Sequence, residues 1–180
     1  MMATLFAPLA SRLSLVTAPA AMVQLVEPWS RLYADSKVIA TAVVFGHIAA
    51  LLFAGGLAVT LDRSTLRAAR TPELRERHLA ELARSHPMVI SGLSLSAVTG
   101  LLLFTSDLET YFVSWVFWTK MLLIATLLTN GYRMTRAEAS LGGATDNADH
   151  AWRRLRFAAL ASLVLWFAIA LAGVALVKAA

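Results

Sequence analysis

Apolar residues gather into four long runs, at 38–61, 88–105, 111–132 and 155–177, separated by short polar stretches. A hydrocarbon core about 30 Å thick takes about 20 residues of α-helix, so each run is long enough or nearly so to cross it. Backbone amides and carbonyls go without water in lipid, and the helix pairs all of them within the segment. The pattern predicts an all-α integral membrane protein, a four-helix bundle of four spans at 37–180. The second run is the shortest, and Pro87 fits its first turn, where the missing N–H costs nothing.

The polar stretches carry patterns of their own. Residues 1–36 contain Pro19 and Pro28, which interrupt any span, while Leu25, Trp29, Leu32 and Tyr33 keep helical spacing. This predicts an N-terminal segment lying in the membrane interface, with a re-entrant element as the alternative. Leu13 to Ala21 followed by a small-residue motif resembles a secretory signal, but Arg12 comes too late for a basic leader, so the segment is expected to stay in the mature protein. Between the first two runs, Thr71 is a good N-cap, Pro72 suits the first turn and Glu73 complements the helix dipole. Glu73–Arg77 and Arg77–Glu81 are i,i+4 pairs. A charged, solvated connector helix is expected up to His86, with a boundary or kink at Pro87.

Charge then sets the orientation. The loop after the first run holds Arg63, Arg67, Arg70, Arg75, Arg77 and Arg84, and the stretch around the third and fourth holds Arg133, Arg136, Arg153, Arg154 and Arg156. The opposite side holds only Arg12, Arg31, Lys37 and Lys178, with Asp107 and Glu109 in the turn between runs two and three. The positive-inside rule places both arginine-rich loops in the cytoplasm and both termini outside. Trp29, Tyr33, Tyr111 and Trp115 fall at the outer interface, Tyr132 and Trp152 at the inner one. The net charge of +5 therefore reports topology and not a nucleic-acid partner. Hydrophobic residues make up 58% and charged residues 15%, with mean hydropathy +0.67, too little polar surface for a domain in water. Cysteine is absent, which excludes disulfides and thiolate chemistry. No glycine-rich phosphate loop, carboxylate pair or nucleophile–base set is evident, so hydrolysis has no support.

Small residues at a four-residue step, Gly46, Ala50 and Ala54 in the first run and Gly92, Ser96 and Gly100 in the second, are expected to let these helices approach closely. Three polar residues lie inside the runs: His47, Lys120 and Asn130. An ionisable group at that depth is expensive and is expected to face a partner. His47 and Lys120 lie equally deep from the outer side, which makes them the candidate cofactor-binding pair. The alternatives are a core histidine bonded to backbone or hydroxyl, and a lysine snorkelling to the surface. Asn130 reads as a helix–helix hydrogen bond. His78, His86 and His150 fall on the cytoplasmic side and read mostly as solvated, with His86 and His150 able to approach. A haem b held by two histidines within the membrane is disfavoured, because His47 and His86 are far apart in depth, although His47 could ligate alone. Copper is the other candidate, with His47, His86 and Met121 as metal ligands and Met88 and Met134 along a path inward.

His47, Gly56 and Asp62-Arg63, then Pro87, Gly92 and Thr99 to Phe104, then Phe117, Lys120, Leu123 and Asn130 resemble a group of uncharacterised bacterial four-span inner-membrane proteins over about residues 20–135. More weakly, the chain is similar to the membrane domain of copper-resistance protein D and to small b-type cytochrome bundles. The first similarity implies copper movement across the inner membrane, the second haem and electron transfer. The chain lacks the glutamate in the fourth run that the copper-resistance pattern shows. The expected function is the handling of a redox cofactor or metal. The competing one is a non-catalytic accessory subunit, partnered in the bilayer by other membrane subunits or by copies of itself.

Overall fold

The computed structural model describes residues 17–141 and 148–179; the expectations for residues 1–16 lie outside it. Among these residues every element is helical: α1 (Ala20–Asp35), α2 (Lys37–Ala68), α3 (Pro72–Ser106), α4 (Leu108–Val113), α5 (Trp115–Leu141) and α6 (Ala148–Ala179). Lys37–Ala68, Glu73–Ser106 and Ala148–Lys178 are long and apolar enough to cross a membrane. Three such helices make this a multi-pass membrane protein whose apolar faces suit a lipid bilayer. The fourth long helix, α5, spans about 40 Å at the helical rise but is less apolar, carrying Lys120, Asn130, Arg133 and Arg136.

Two boundaries differ from expectation. The connector helix and the second apolar run are one continuous helix, α3, which passes through Pro87. The third run is broken at Ser114, whose extended backbone (φ −77°, ψ 114°) ends α4 before α5 begins at Trp115. Both ends of that break are capped locally: Asp107 accepts from the Thr110 amide and Ser114 from the Phe117 amide. Hydropathy could not register the break, because Tyr111 to Val113 is as apolar as the first turn of α5.

The long helices pack in the order α3–α2–α6–α5. The α2–α3 contact is built on the small residues. A Cβ on Gly92 would lie 2.9 Å from the Ala54 Cβ, and one on Gly46 would lie 3.6 Å from the Thr99 methyl. Ala50, Ala54 and Ser96 are buried between them. Across α2–α6, a Cβ on Gly55 would lie 3.1 Å from the ring of Trp166. Across α5–α6, Asn130 Nδ2 donates to the Ala158 carbonyl at 2.8 Å, the expected interhelical bond.

The fourth side, between α3 and α5, differs: the backbones stay apart and side chains bridge the gap. Phe104 and Phe117 stack there with centroids 4.7 Å apart. The apolar core lies at the arginine-rich end, where Ala68, Met134, Trp152, Leu155 and Ala159 pack together. At the opposite end α1 docks on α3, with Trp29 Nε1 donating to the Leu102 carbonyl (2.9 Å) and Ser30 Oγ to that of Ser106 (2.7 Å). Ser36 then caps α2 by accepting from the Ile39 amide.

Candidate functional site

His47 sits on the α2 face that meets α3. Its Nδ1 lies 3.0 Å from the Ser96 carbonyl and 3.1 Å from Thr99 Oγ1. A carbonyl only accepts, so Nδ1 carries the hydrogen. Thr99 spends its own hydroxyl hydrogen on the Leu95 carbonyl and can therefore accept from the same Nδ1–H. Nε2 is left with a lone pair. The ring has room because position 100 is glycine: a Cβ there would come within 3.1 Å of the His47 Cε1. The sequence-based alternative of a histidine bonded to backbone and hydroxyl therefore describes Nδ1, while Nε2 stays uncommitted.

Lys120 reaches this region from α5. Its charge acts on His47, and its Nζ lies 3.7 Å from where a Gly173 Cβ would stand on α6. Among the described residues it makes no hydrogen bond. α3 supplies the His47 hydrogen bonds, and α6 stands beside Lys120.

The expected metal ligands are not gathered. His86 lies on α3, ten residues from Ser96, or about 15 Å along the axis from the His47 contact. Its Nδ1 faces Glu138 Oε2 at 3.7 Å rather than any copper site. His150 is exposed near the start of α6. Met121 is half-buried beside Lys120, Met88 is exposed, and Met134 belongs to the apolar core. No group of three or more His, Cys, Asp or Glu side chains suited to a metal occurs among the described residues. A haem held by His47 together with His86 does not fit this arrangement.

His78 corrects the solvated reading of the connector. It is 4% exposed, with Nε2 2.7 Å from Thr65 Oγ1 and Nδ1 3.6 Å from Glu81. Thr65 donates to the Leu61 carbonyl. Trp152 lies against the His78 ring, and the Arg75 guanidinium stands 5.3 Å above Trp152 while pairing with Asp149 at 2.9 Å. The half of α3 before Pro87 is therefore packed structure.

A second polar group was missed from the sequence. Asp62 on α2 is 3% exposed and faces Ser162 of α6. Asp62 Oδ2 and Glu138 Oε1 are both buried without a hydrogen-bond partner among the described residues. Burial, and then the Asp62 charge, push Glu138 up to about 7. Each acid looked like part of an arginine-rich loop, Asp62 beside Arg63 and Glu138 near Arg136. Helical spacing held the missing signal: Gly55 and Asp62 are seven apart, and Asn130, Met134 and Glu138 keep a four-residue step on an inward face.

No protein-family model, curated protein or solved structure matches this chain.

Proposed function

We propose that this protein is a four-span bundle of the bacterial inner membrane that handles a redox cofactor or metal through His47. Both termini lie outside and α1 rests in the outer interface. The observation that carries the reading is the Nδ1 hydrogen bond of His47 to the Ser96 carbonyl. A metal-bound histidine ordinarily gives its second ring N–H to a carbonyl or carboxylate, which fixes the tautomer and raises the basicity of the ligating nitrogen. His47 has that arrangement, and the four helices hold it away from the arginine-rich end. The resemblance to b-type cytochrome bundles and to copper-resistance protein D points the same way.

Lys120 favours haem b over copper. An ammonium whose charge reaches His47 in a medium of low dielectric repels a bare copper ion and attracts an anionic group. The carboxylates of a haem supply such charge. His47 would hold the iron as a single protein imidazole, Lys120 would neutralise a carboxylate, and the bound group would supply one-electron chemistry. Purified protein is expected to show a Soret band that is lost in His47→Ala. Copper without a Soret band would assign the metal instead, and the absence of both would refute the reading.

The second reading is an accessory subunit, in which His47 and Lys120 are structural. It draws on Gly56 and Gly131, where an added Cβ would meet nothing within 4 Å. Small residues on open faces of membrane helices suit close approach by another helix. Co-purification with a partner complex from mild detergent would favour it, and a solitary stable monomer would count against it.

A further inference from the structure

We propose that Arg133 of α5 and Arg154 of α6 form a binding site for the phosphate of an anionic phospholipid, on the outward side of the α5–α6 contact at the arginine-rich end. The site is separate from His47 and does not rest on the function proposed above.

Helical register brings the two arginines together. α5 and α6 run antiparallel: Asn130 Nδ2 donates to the Ala158 carbonyl at 2.8 Å, and one turn further on Met134 and Leu155 share the apolar core. Counted from that bond towards the arginine-rich end, Arg133 lies about 4.5 Å along α5 and Arg154 about 6 Å along α6. At 100° per residue, Arg133 is turned about 60° around its helix from Asn130, and Arg154 about 40° from Ala158. Because the helices are antiparallel, these turns carry both side chains to the same side of the contact. Met134 and Leu155 are turned to the other side, into the core, while Arg133 and Arg154 are exposed. Among the described residues neither arginine makes an ion pair. Glu138, the acid of α5, faces His86 on the inward side.

Hydropathy sets the depth. Arg133 directly follows the third apolar run and Arg154 directly precedes the fourth, so both stand where hydrocarbon gives way to headgroups. Below them the same outward side presents Phe157 and Val164 of α6 and Leu122 of α5, all exposed. The guanidinium is a planar fork of N–H donors that matches the oxygens of a phosphate. An apolar surface directly beneath favours a phosphate that carries acyl chains over a free one. Two guanidiniums exceed the charge of one phosphodiester, and a choline or ethanolamine would add a further cation beside them. A headgroup without its own cation, such as glycerol, therefore fits best.

The test is native mass spectrometry of the full chain in mild detergent, titrated with phosphatidylglycerol and in parallel with phosphatidylcholine. The first phosphatidylglycerol is expected to bind more tightly than the first phosphatidylcholine. Arg133→Gln and Arg154→Gln should each weaken it about fivefold, and the double variant about 30-fold. Both side chains are exposed, so these substitutions leave the fold intact. Arg70→Gln with Arg77→Gln removes two exposed arginines from the connector and should leave the first site unchanged. An equal loss in that connector variant would mean diffuse attraction by the whole basic end, and equal binding of the two lipids would mean no recognition of charge; either overturns the proposal. Displacement of phosphatidylglycerol by inorganic phosphate would make this a site for the free anion and overturn it too.

Discussion

Gly92→Ala is expected to loosen the α2–α3 contact and to disturb His47 at a distance. The added Cβ would stand 2.9 Å from the Ala54 Cβ, 3.1 Å from Phe53 Cδ1 and 3.4 Å from the Ala54 Cα. Carbon atoms pack at about 3.5–4.0 Å, so the contact is short by about 0.6–1.1 Å. Phe53 can turn away, but the Ala54 Cβ and Cα are fixed to the helix, so α2 and α3 must separate. Overpacking of this kind costs about 1–3 kcal/mol. Replacing glycine by alanine within a helix returns about 1 kcal/mol, leaving a net loss of up to about 2 kcal/mol. Ser96 is one turn further along α3. Separation by even half of the shortfall lengthens the 3.0 Å bond from His47 Nδ1 to its carbonyl, toward the limit of hydrogen bonding. Thermal unfolding in mild detergent reads the stability, and occupancy of the His47 site reads the displacement. Gly56→Ala meets nothing within 4 Å and should stabilise the same preparation by the propensity gain alone. Adding Ala54→Gly to Gly92→Ala should restore the spacing. If Gly92→Ala were as stable as Gly56→Ala, close backbone approach would not be what holds α2 to α3.

Glu138 makes stability depend on pH. Its folded value of about 7 lies above the ordinary 4.5, so the folded state binds the extra proton and stability declines as pH rises from about 4.5 through 7. The span corresponds to about 3 kcal/mol at most, and Glu138→Gln should flatten the decline in denaturation followed between pH 5 and 8. Thr65→Val leaves the His78 Nε2 without its 2.7 Å partner and should cost about 1–3 kcal/mol, with Thr65→Ser recovering most of it. Trp152→Ala empties the apolar core beside His78 and Arg75 and should cost about 3–5 kcal/mol in the same unfolding assay. Asn130→Leu removes one interhelical bond and should cost no more than about 1 kcal/mol.

Small-residue ladders were legible because a four-residue step has one structural meaning in an apolar helix. Gly46, Ala50 and Ala54 face Gly92, Ser96 and Gly100 because each removes bulk at the same side of its helix. His47 and Lys120 were legible because a charge or imidazole stands out against twenty apolar neighbours. The same contrast fails at the helix ends. Asp62 and Glu138 continue their inward faces beyond the apolar runs, where arginines on the other faces make every acid look solvated. His78 disappeared for the same reason, since its packing against Thr65 and Trp152 depends on α3 continuing unbroken past Pro87. The Ser114 break could not be read either, because a single extended residue between two apolar stretches leaves the hydropathy unchanged.

The polar residues occupy the structure unevenly, and packing explains where they went. The α2–α3 contact closes on glycine and alanine, leaving no volume for a lysine or glutamate between the two helices. The α3–α5 side stays open at the backbone and must be filled by long side chains. Phe104 on Phe117 fills its middle, and His86 facing Glu138 fills the arginine-rich end. Lys120 enters from α5 towards the opposite end, at the level of His47. A long charged side chain is tolerated in an apolar structure only where its head meets another polar group. The widest interhelical side therefore admits the facing pair of His86 and Glu138, whereas the Lys120 head stands beside Gly173 of α6. Narrowing that side by Phe117→Ala should let α3 and α5 close and alter the contact of His86 with Glu138. If the dependence of stability on pH between 5 and 8 that Glu138 sets were unmoved in Phe117→Ala, this seam would not be what supports the His86–Glu138 contact.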